Sequence, residues 1–420
     1  MRSLPALPEW VSLEHQVAQI LTEQEIHGWY FSERCGRELE LSLRRELLDI
    51  TEVLQARFPY VPGAEFTPKR NNRTQGYVEG ATFQRLKEFN PASRDHIAWI
   101  LTNYDNFESH STTTTSGKTK IDETILKSHG TGLSLQFLRI LEITKLLGMI
   151  SEGANAWLKL CTSAKRIHHH CSVATATHRA AHRNPNLAQV PSDERVRKLF
   201  LATPGQVMVG ADLAGIELRM LAHYLARYDG GRYGEILLNG DIHQVNADAI
   251  GVDRKTVKGI SYCFIYGGGD VKLGLTYDKQ LTTTNAKQKG AEIRAAFVSA
   301  IPGLSDLLDA IKSASNRGYI KSLDGRKIIL DSPHKALNYL LQSGAGVVAK
   351  RWMVLAHDNP FCCSQLAFIH DELQYECSPE HAEDLRFHLE WSAVRAGEHY
   401  GLRVPIAAEG KIGDNWADVH

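Results

Sequence analysis

Residues 254–267 read RKTVKGISYCFIYG, and within them Arg254, Lys258, Tyr262 and Tyr266 recur at every fourth position. On an α-helix of 3.6 residues per turn, that spacing keeps all four side chains on one slowly drifting face. At a rise of about 1.5 Å per residue the stripe is roughly 18 Å long, comparable with an extended nucleoside triphosphate. Two cations lead and two aromatic rings follow; cations suit a polyphosphate, and a ring suits the face of a base or sugar. Taken alone, the residues fit an ordinary amphipathic surface helix better, with the basic residues outside and the tyrosines half buried.

Two acidic positions far apart in sequence share a different kind of setting. QVMVGADLAGIELRMLAHYLARY, residues 206–228, starts as a buried strand over 207–211 and turns helical by about Ile216, with Leu218, Leu221, Ala222 and Leu225 on one face. Asp212 falls at the strand's end, where capping the next helix is the simpler local role. LAFIHDELQYEC, residues 366–377, reads as two strands around a tight His370-Asp371-Glu372 turn, the second alternating Leu373, Tyr375 and Cys377 against Gln374 and Glu376. That arrangement holds Asp371 at a hairpin tip.

Together these stretches resemble the family A DNA polymerases. Arg254, Lys258, Tyr262 and Tyr266-Gly267 are similar to motif B of that family, Asp212 through Glu217 and Arg219 to motif A, and His370-Asp371-Glu372 to motif C. THRAAHRNPNLAQVP, residues 177–191, is similar to the family's TGRxxxxxPNLQNxP segment, with His178 standing at the usual glycine. The match runs from near residue 10 to the C-terminus and is nearest the replicative polymerases of short-tailed phages.

The resemblance implies a DNA-directed DNA polymerase, a nucleotidyltransferase that extends a primer 3′-hydroxyl with deoxynucleotides. Asp212 and Asp371 would hold two Mg²⁺ ions, with Mn²⁺ as a substitute and the Leu213 carbonyl as a further ligand. Paired ions ~3.5–4 Å apart activate the attacking hydroxyl and stabilise the leaving pyrophosphate, and Mg²⁺ favours such oxygen ligands. Arg254 and Lys258 neutralise the triphosphate, which places Lys258 with the catalytic residues because phosphoryl transfer depends on positioning and charge stabilisation. Tyr262 contacts sugar and base, Tyr266 lies near the templating position, Glu217 packs against the sugar's 2′ position, and His243 contacts the β-phosphate. Arg179 and Gln342 reach the minor groove, and His370 and Glu372 are grouped with the DNA contacts. Without the family, Glu217 reads as a surface glutamate, and His243 and Gln342 would be unremarkable.

Lys+Arg and Asp+Glu both number 48, so any nucleic-acid surface must be local. One candidate is residues 165–198, where Lys165, Arg166, Arg179, Arg183, Arg195, Arg197 and Lys198 are interleaved with five histidines. The run His168, His169, His170, Cys171 invites a metal reading, but consecutive strand residues point to alternate faces and no second ligand group is visible at usable spacing. His178 and His182 form an i, i+4 pair that reads better as a solvated basic turn. Seven cysteines with no C-x-x-C pair make neither a disulfide framework nor a zinc knuckle. No apolar run approaches the ~20 residues of a membrane span, and a location in the cytoplasm, the host's for a phage-encoded chain, is expected.

The fold class expected is α+β, a right hand with an α-rich thumb, a palm built on an antiparallel sheet, and α-rich fingers. Its segments are 1–165 for an N-terminal stub and thumb, 166–240 and 335–420 for the palm, and 241–334 for the fingers. From Leu13 to about Leu54 the pattern is helical with a break near Gly28; residues 58–80, rich in Pro and Gly, read as a loop or small insertion. Ser93 is a plausible cap for a helix entered through NPASRDH. The polar run STTTTSGKTK, residues 111–120, opens into a helix at Asp122.

Two competing functions share parts of this pattern, a single-subunit RNA polymerase and a non-catalytic DNA-binding subunit of polymerase shape. Glu217, Tyr262 and His370 oppose the first; the retained aspartates and helix cations oppose the second. The partners expected are primer-template DNA and deoxynucleoside triphosphates, with no membrane. No Asp-x-Glu, the start of the relatives' exonuclease metal site, occurs in the sequence. Proofreading is therefore expected from a separate exonuclease subunit. Thioredoxin is not expected to be required, because residues 58–80 are much shorter than the thioredoxin-binding insertion of the nearest phage relatives.

Overall fold

The N-terminal helical pattern breaks at Gly28. Helix α1 (Glu9–His27) ends there, with Gly28 at φ 68°, and a Cβ at that position would meet His168 Nδ1 at 2.7 Å. Positive φ and the close neighbour both favour glycine. Strand β1 (Trp29–Phe31) and helix α2 (Glu33–Arg57) follow. The computed structural model describes residues 7–107, 118–279 and 281–420, so most of the polar run at 111–120 lies outside the described residues.

The chain divides into two compact units, residues 1–35 with 157–420, and residues 36–156. The expected first segment, 1–165, is therefore split. Leu13, Val17, Ile20 and Leu21 of α1 enter the core of the larger unit, their three- and four-residue spacing forming the buried stripe of an amphipathic helix.

In the smaller unit, α2, α3 (Arg94–Tyr104) and α5 (Gly132–Leu147) enclose a core that includes Leu54, Ile97, Leu101, Phe137 and Ile140. Helix α4 (Glu123–His129) is capped by Asp122, which accepts from Ile125 N at 2.9 Å. Ser93 occupies the N-cap position of α3, but its side chain makes no capping bond. The segment expected as a loop is partly β: β2 (Tyr60–Phe66) pairs antiparallel with β3 (Phe83–Glu88). Pro62 and Gly63 lie at a register shift between Pro62 and Glu65, which lets a strand carry a proline that cannot donate to the ladder.

The larger unit holds a short hairpin, β4 (His170–Ser172) with β5 (Ala181–Arg183), and a four-stranded antiparallel sheet. The sheet contains β6 (Val207–Leu213), β7 (Cys363–Ile369), β8 (Glu372–Cys377) and β9 (Ala408–Gly413), in the order β7-β8-β6-β9. Every residue of β8 is buried. The expected outward alternation of Gln374 and Glu376 therefore does not hold, because this inner strand is covered on both faces. Glu376 instead accepts from Thr203 N at 2.8 Å and pairs with His27 Nε2 at 2.7 Å, and Gln374 Nε2 donates to Glu372 at 2.6 Å.

Helices α6 (Ile216–Leu225), α7 (Ile242–Ile250), α8 (Arg254–Ile265), α9 (Asp270–Tyr277), α10 (Thr283–Ala300) and α11 (Leu304–Ser315) follow β6 in the chain. Helix α12 (Ala336–His357) is buried along nearly its whole length, and α13 (Ala382–His399) packs on β6 and β9. Even Lys350 of α12 is fully buried, its ammonium held by Glu14 of α1 at 2.7 and 2.8 Å. No described helix is long and apolar enough to cross a membrane.

Candidate active site

The antiparallel register of β8 on β6 sets Glu372 opposite Asp212, and β9 sets Glu409 opposite Asp212 from the other side. Asp371 sits at the β7–β8 tip, and its carbonyl accepts from Leu213 N at 2.9 Å. One backbone hydrogen bond thus ties the hairpin tip to the end of β6. Asp212 does not cap α6; Gly215 occupies the N-cap position.

Burial, then the Glu217 and Asp212 charges, raise Asp371 to about 7. Asp212, though exposed at the strand end, is raised to about 6 by partial burial, then by Glu372, with Glu409 and Glu217 adding to it and His420 opposing. Like charges held near one another disfavour ionisation, and Glu217 acts on both aspartates. This donor set consists of oxygens, and its crowded negative charge would be relieved by divalent cations. The residues present therefore fit the hard-cation site that the sequence implies, with Leu213 at the strand end beside it.

Glu372 is placed differently from the expectation of a DNA contact. It is 5% exposed, and its carboxylate accepts from Trp416 Nε1 at 2.6 Å and Gln374 Nε2 at 2.6 Å, with His420 Nδ1 at 3.3 Å. Burial pushes its pKa up, but these partners outweigh that and the net shift is downward. Its side chain is a strut behind the tip. His370 adopts φ 60° at the tip, is half buried, and has its pKa lowered by burial and by the Arg179 charge.

Glu217, expected against the sugar, is 7% exposed and accepts from both Arg179 Nη2 and, at 2.9 Å, Tyr266 Oη. Three sequence-predicted residues from three separate segments therefore meet. Arg179 follows His178, whose φ is 61°. A glycine would occupy that backbone region without strain; here the histidine takes it, with its Nδ1 2.7 Å from Ser343 Oγ on α12. Gly346, one helical turn further, lets the chain pass close: a Cβ there would stand 3.2 Å from His178 O. Gln342 lies half buried on the same helix.

Helix α8 buries Val257, Ile260, Ser261, Phe264 and Ile265, leaving Arg254, Lys258, Tyr262 and Tyr266 on its other face. Arg254 Nε pairs with Asp241 at 2.6 Å, and the same Asp241 caps α7 by accepting from His243 N and Gln244 N. The His243 ring stands 6.2 Å from that of Tyr262, and the Tyr262 and Tyr266 rings stack at 6.3 Å. Burial and the Lys258 and Arg254 charges lower the His243 pKa. The residues missed from sequence are the supports, Trp416, His420 and Asp241. Asp241 in NGDIH could have been found as a helix-cap signal; the other two act across more than forty residues and leave no local signature.

A family model described as DNA polymerase family A matches residues 65–418. The DNA-directed DNA polymerases of Enterobacteria phage T3 and Escherichia phage T7 are each 30% identical to this chain, over 98% of it and 70% of their own length. A solved structure, the POL domain of Pol1 from M. smegmatis in complex with DNA primer-template and dNTP, superposes with a TM-score of 0.76 at 22% identity, covering 97% of this chain and 70% of that one. The latter likeness shows the fold, the α+β right hand.

Proposed function

This chain belongs to DNA polymerase family A and carries out template-directed DNA synthesis, a divalent-metal-dependent reaction, and we propose that Asp212 and Asp371 are the carboxylates at its reacting centre. The observation that carries this reading is the bond from Leu213 N to Asp371 O, which joins two acidic positions 159 residues apart at one end of one sheet. Two Mg²⁺ ions held there, or Mn²⁺ in their place, would supply Lewis-acid activation of the primer hydroxyl and charge stabilisation of the leaving group. Asp212, Asp371 and the Leu213 carbonyl are the residues that would hold them.

The remaining work belongs to the chain's own groups. Lys258 and Arg254 meet the triphosphate, and His243, its pKa lowered by burial and by those two cations, contacts the β-phosphate. Tyr262 packs on the sugar and base, Tyr266 borders the templating position, and Glu217 fills the space a 2′-hydroxyl would need. Arg179 and Gln342 face the duplex minor groove, where contacts common to all base pairs serve sequence-independent binding. The smaller unit, 36–156, serves as thumb, the sheet segments within 166–240 and 335–420 as palm, and 241–334 as fingers.

Primer-template DNA and deoxynucleoside triphosphates are the partners of this reading, supported by the complex in which the M. smegmatis relative was solved. Phage genome replication in the host cytoplasm is the setting, supported by the T3 and T7 relatives. In this reading a separate exonuclease subunit supplies proofreading, and thioredoxin is not required. Primer extension with deoxy- against ribonucleotides tests the core of the proposal. Template-dependent extension with deoxynucleotides, lost in Asp371→Ala, is expected; ribonucleotide preference, or extension by that variant, would overturn it.

A further inference from the structure

The hairpin of β4 and β5 brings together three side chains that the DNA-synthesis chemistry leaves without a task. In its register Cys171 lies directly opposite His182, and directly opposed residues of an antiparallel pair project to the same face. His169 lies two residues before Cys171, just ahead of β4, and its ring stacks on that of His182 at 6.1 Å. His168 and His170 are engaged elsewhere, His168 Nδ1 lying 2.8 Å from Glu25 O and His170 Nδ1 2.8 Å from Glu25 Oε2. Two of the four consecutive residues are thus left to join a third from the neighbouring strand. The i, i+4 pairing of His178 with His182 does not form, since His178 bonds Ser343, and His182 is buried rather than part of a solvated turn.

His169, Cys171 and His182 are 0, 8 and 7% exposed, and their donor atoms lie within 4.8 Å of one another. A tetrahedral zinc with Zn–N ~2.0 Å and Zn–S ~2.3 Å needs edges of roughly 3.3–3.6 Å. Cys171 Sγ and His182 Nδ1 are already 3.2 Å apart, so small side-chain rotations bring the third donor in. The fourth corner is occupied by Gln24 of α1, whose Nε2 stands 3.1 Å from His169 Nε2 and 3.6 Å from Cys171 Sγ. A carboxamide flip would turn its oxygen to the same place; that oxygen now accepts from Gln365 Nε2 at 2.8 Å, so the Gln365 amide, which accepts from Tyr375 Oη, would turn with it. The cluster's own hydrogen bonds leave His169 Nδ1 and His182 Nε2 buried without a protein partner among the described residues.

We propose that His169, Cys171 and His182, closed by the Gln24 carboxamide, form a structural site for a borderline-soft divalent cation, zinc first among them. Two imidazoles and one thiolate are zinc donors, whereas Mg²⁺ prefers oxygen. Burial lowers His169 to about 3 and His182 to about 4, so both rings are neutral and hold lone pairs ready. The Cys171 thiol, raised by burial to about 12, surrenders its proton to solvent as the sulfur–metal bond forms. Loading ties β4, β5 and α1 together. His182 lies three residues beyond Arg179, with its ring 6.0 Å from that of His370, so the ion would stiffen the layer directly behind the Arg179 and His370 contacts.

The test uses the full chain, expressed in metal-limited medium, stripped with chelator, reloaded with zinc and freed of excess on a sizing column before elemental analysis. One retained equivalent and a melting temperature raised by about 5 °C or more are expected. Cobalt substitution should add a thiolate-to-metal charge-transfer band, which carboxylate-bound cobalt at Asp212 and Asp371 cannot produce, so this outcome is separate from that of the polymerase reading. Cys171→Ser and His182→Ala should each lose the tight equivalent while Cys362→Ala, at an exposed cysteine, retains it. Retention by Cys171→Ser, or a wild-type chain that binds cobalt without the thiolate band or holds less than about 0.1 equivalent of zinc, would overturn the proposal. The wild-type spectrum needs no variant, so a folding failure in Cys171→Ser leaves the question decidable.

Discussion

The end of β6 with the β7–β8 tip and the open face of α8, which the proposal assigns to one reaction, are built in opposite ways. Behind Asp371 the bracing is dense: its carbonyl is held by Leu213 N, and the adjoining Glu372 by Trp416, Gln374 and His420. Along α8, Lys258 is exposed and Arg254 is held by a single exposed pair with Asp241. The contrast separates two tasks. Groups that must hold charge in a fixed geometry are placed on a sheet and braced, because a misplaced ligand weakens catalysis steeply. Groups that must collect a mobile, highly charged substrate are left extended, and an exposed pair such as Arg254–Asp241 contributes little and exchanges readily for phosphate.

The sharpest way to break this comparison is to remove a braced group. Asp212→Ala or Asp371→Ala should reduce nucleotide addition by on the order of 10³-fold or more, while primer-template affinity stays within a few-fold, because no basic DNA contact is lost. Single-turnover primer extension with a parallel binding titration measures both. Equal losses of binding and rate would mean the aspartates hold the fold rather than the reacting centre.

Substitutions along α8 should have smaller and graded effects. Lys258→Ala should lower the extension rate by roughly 10²-fold through lost charge stabilisation, whereas Arg254→Ala, whose guanidinium already has a carboxylate partner, should act mainly on apparent nucleotide affinity, by about 10-fold. If Arg254→Ala proved the more damaging at saturating nucleotide, the helix would be as preorganised as the sheet. Tyr262→Phe is finer still. By resemblance to family members with Phe at this position, it should raise discrimination against dideoxynucleotides while ordinary extension changes little. Unchanged incorporation ratios would count against this tyrosine's placement at the sugar.

How much of this was legible in sequence follows the same division. The α8 stripe, the strand-to-helix turn at Asp212 and the hairpin around Asp371 are local patterns, and each forms at the residues expected. What was hidden depends on pairing between distant segments. Outward positions for Gln374 and Glu376 follow from alternation only if β8 is half exposed, and no local signal says that His27 and Thr203, from distant segments, will cover that face at Glu376. Pro62 and Gly63 argued for a loop, and the strand exists because a register shift absorbs them. Glu372 looked available for DNA until Trp416 and His420 arrived from the chain's end. The company of the histidine run was hidden for the same reason, since His182 reaches Cys171 from a partner strand.

The smallest expected effect concerns what the crowded carboxylates do to the protein itself. Asp371 is raised to about 7 and Asp212 to about 6, both above the usual carboxylate range near 4. A raised acid binds its proton more tightly folded than unfolded, so its contribution to stability is complete below about pH 4 and is lost as pH rises through about 6 and then about 7. In chelator, the melting temperature should therefore fall by about 1–2 °C between pH 5 and 8 from this source, a shift of the size that ~1–2 kcal/mol produces in a chain this long. Adding Mg²⁺ should recover that loss at pH 8 and do little at pH 5, where protons compete for the same oxygens. Asp371→Asn, which keeps the shape and removes the charge, should flatten the chelator profile and blunt the Mg²⁺ response while leaving the α8 face untouched. A profile that stays as steep in Asp371→Asn as in the wild type would locate the titrating strain elsewhere and remove the electrostatic half of the contrast between sheet and helix.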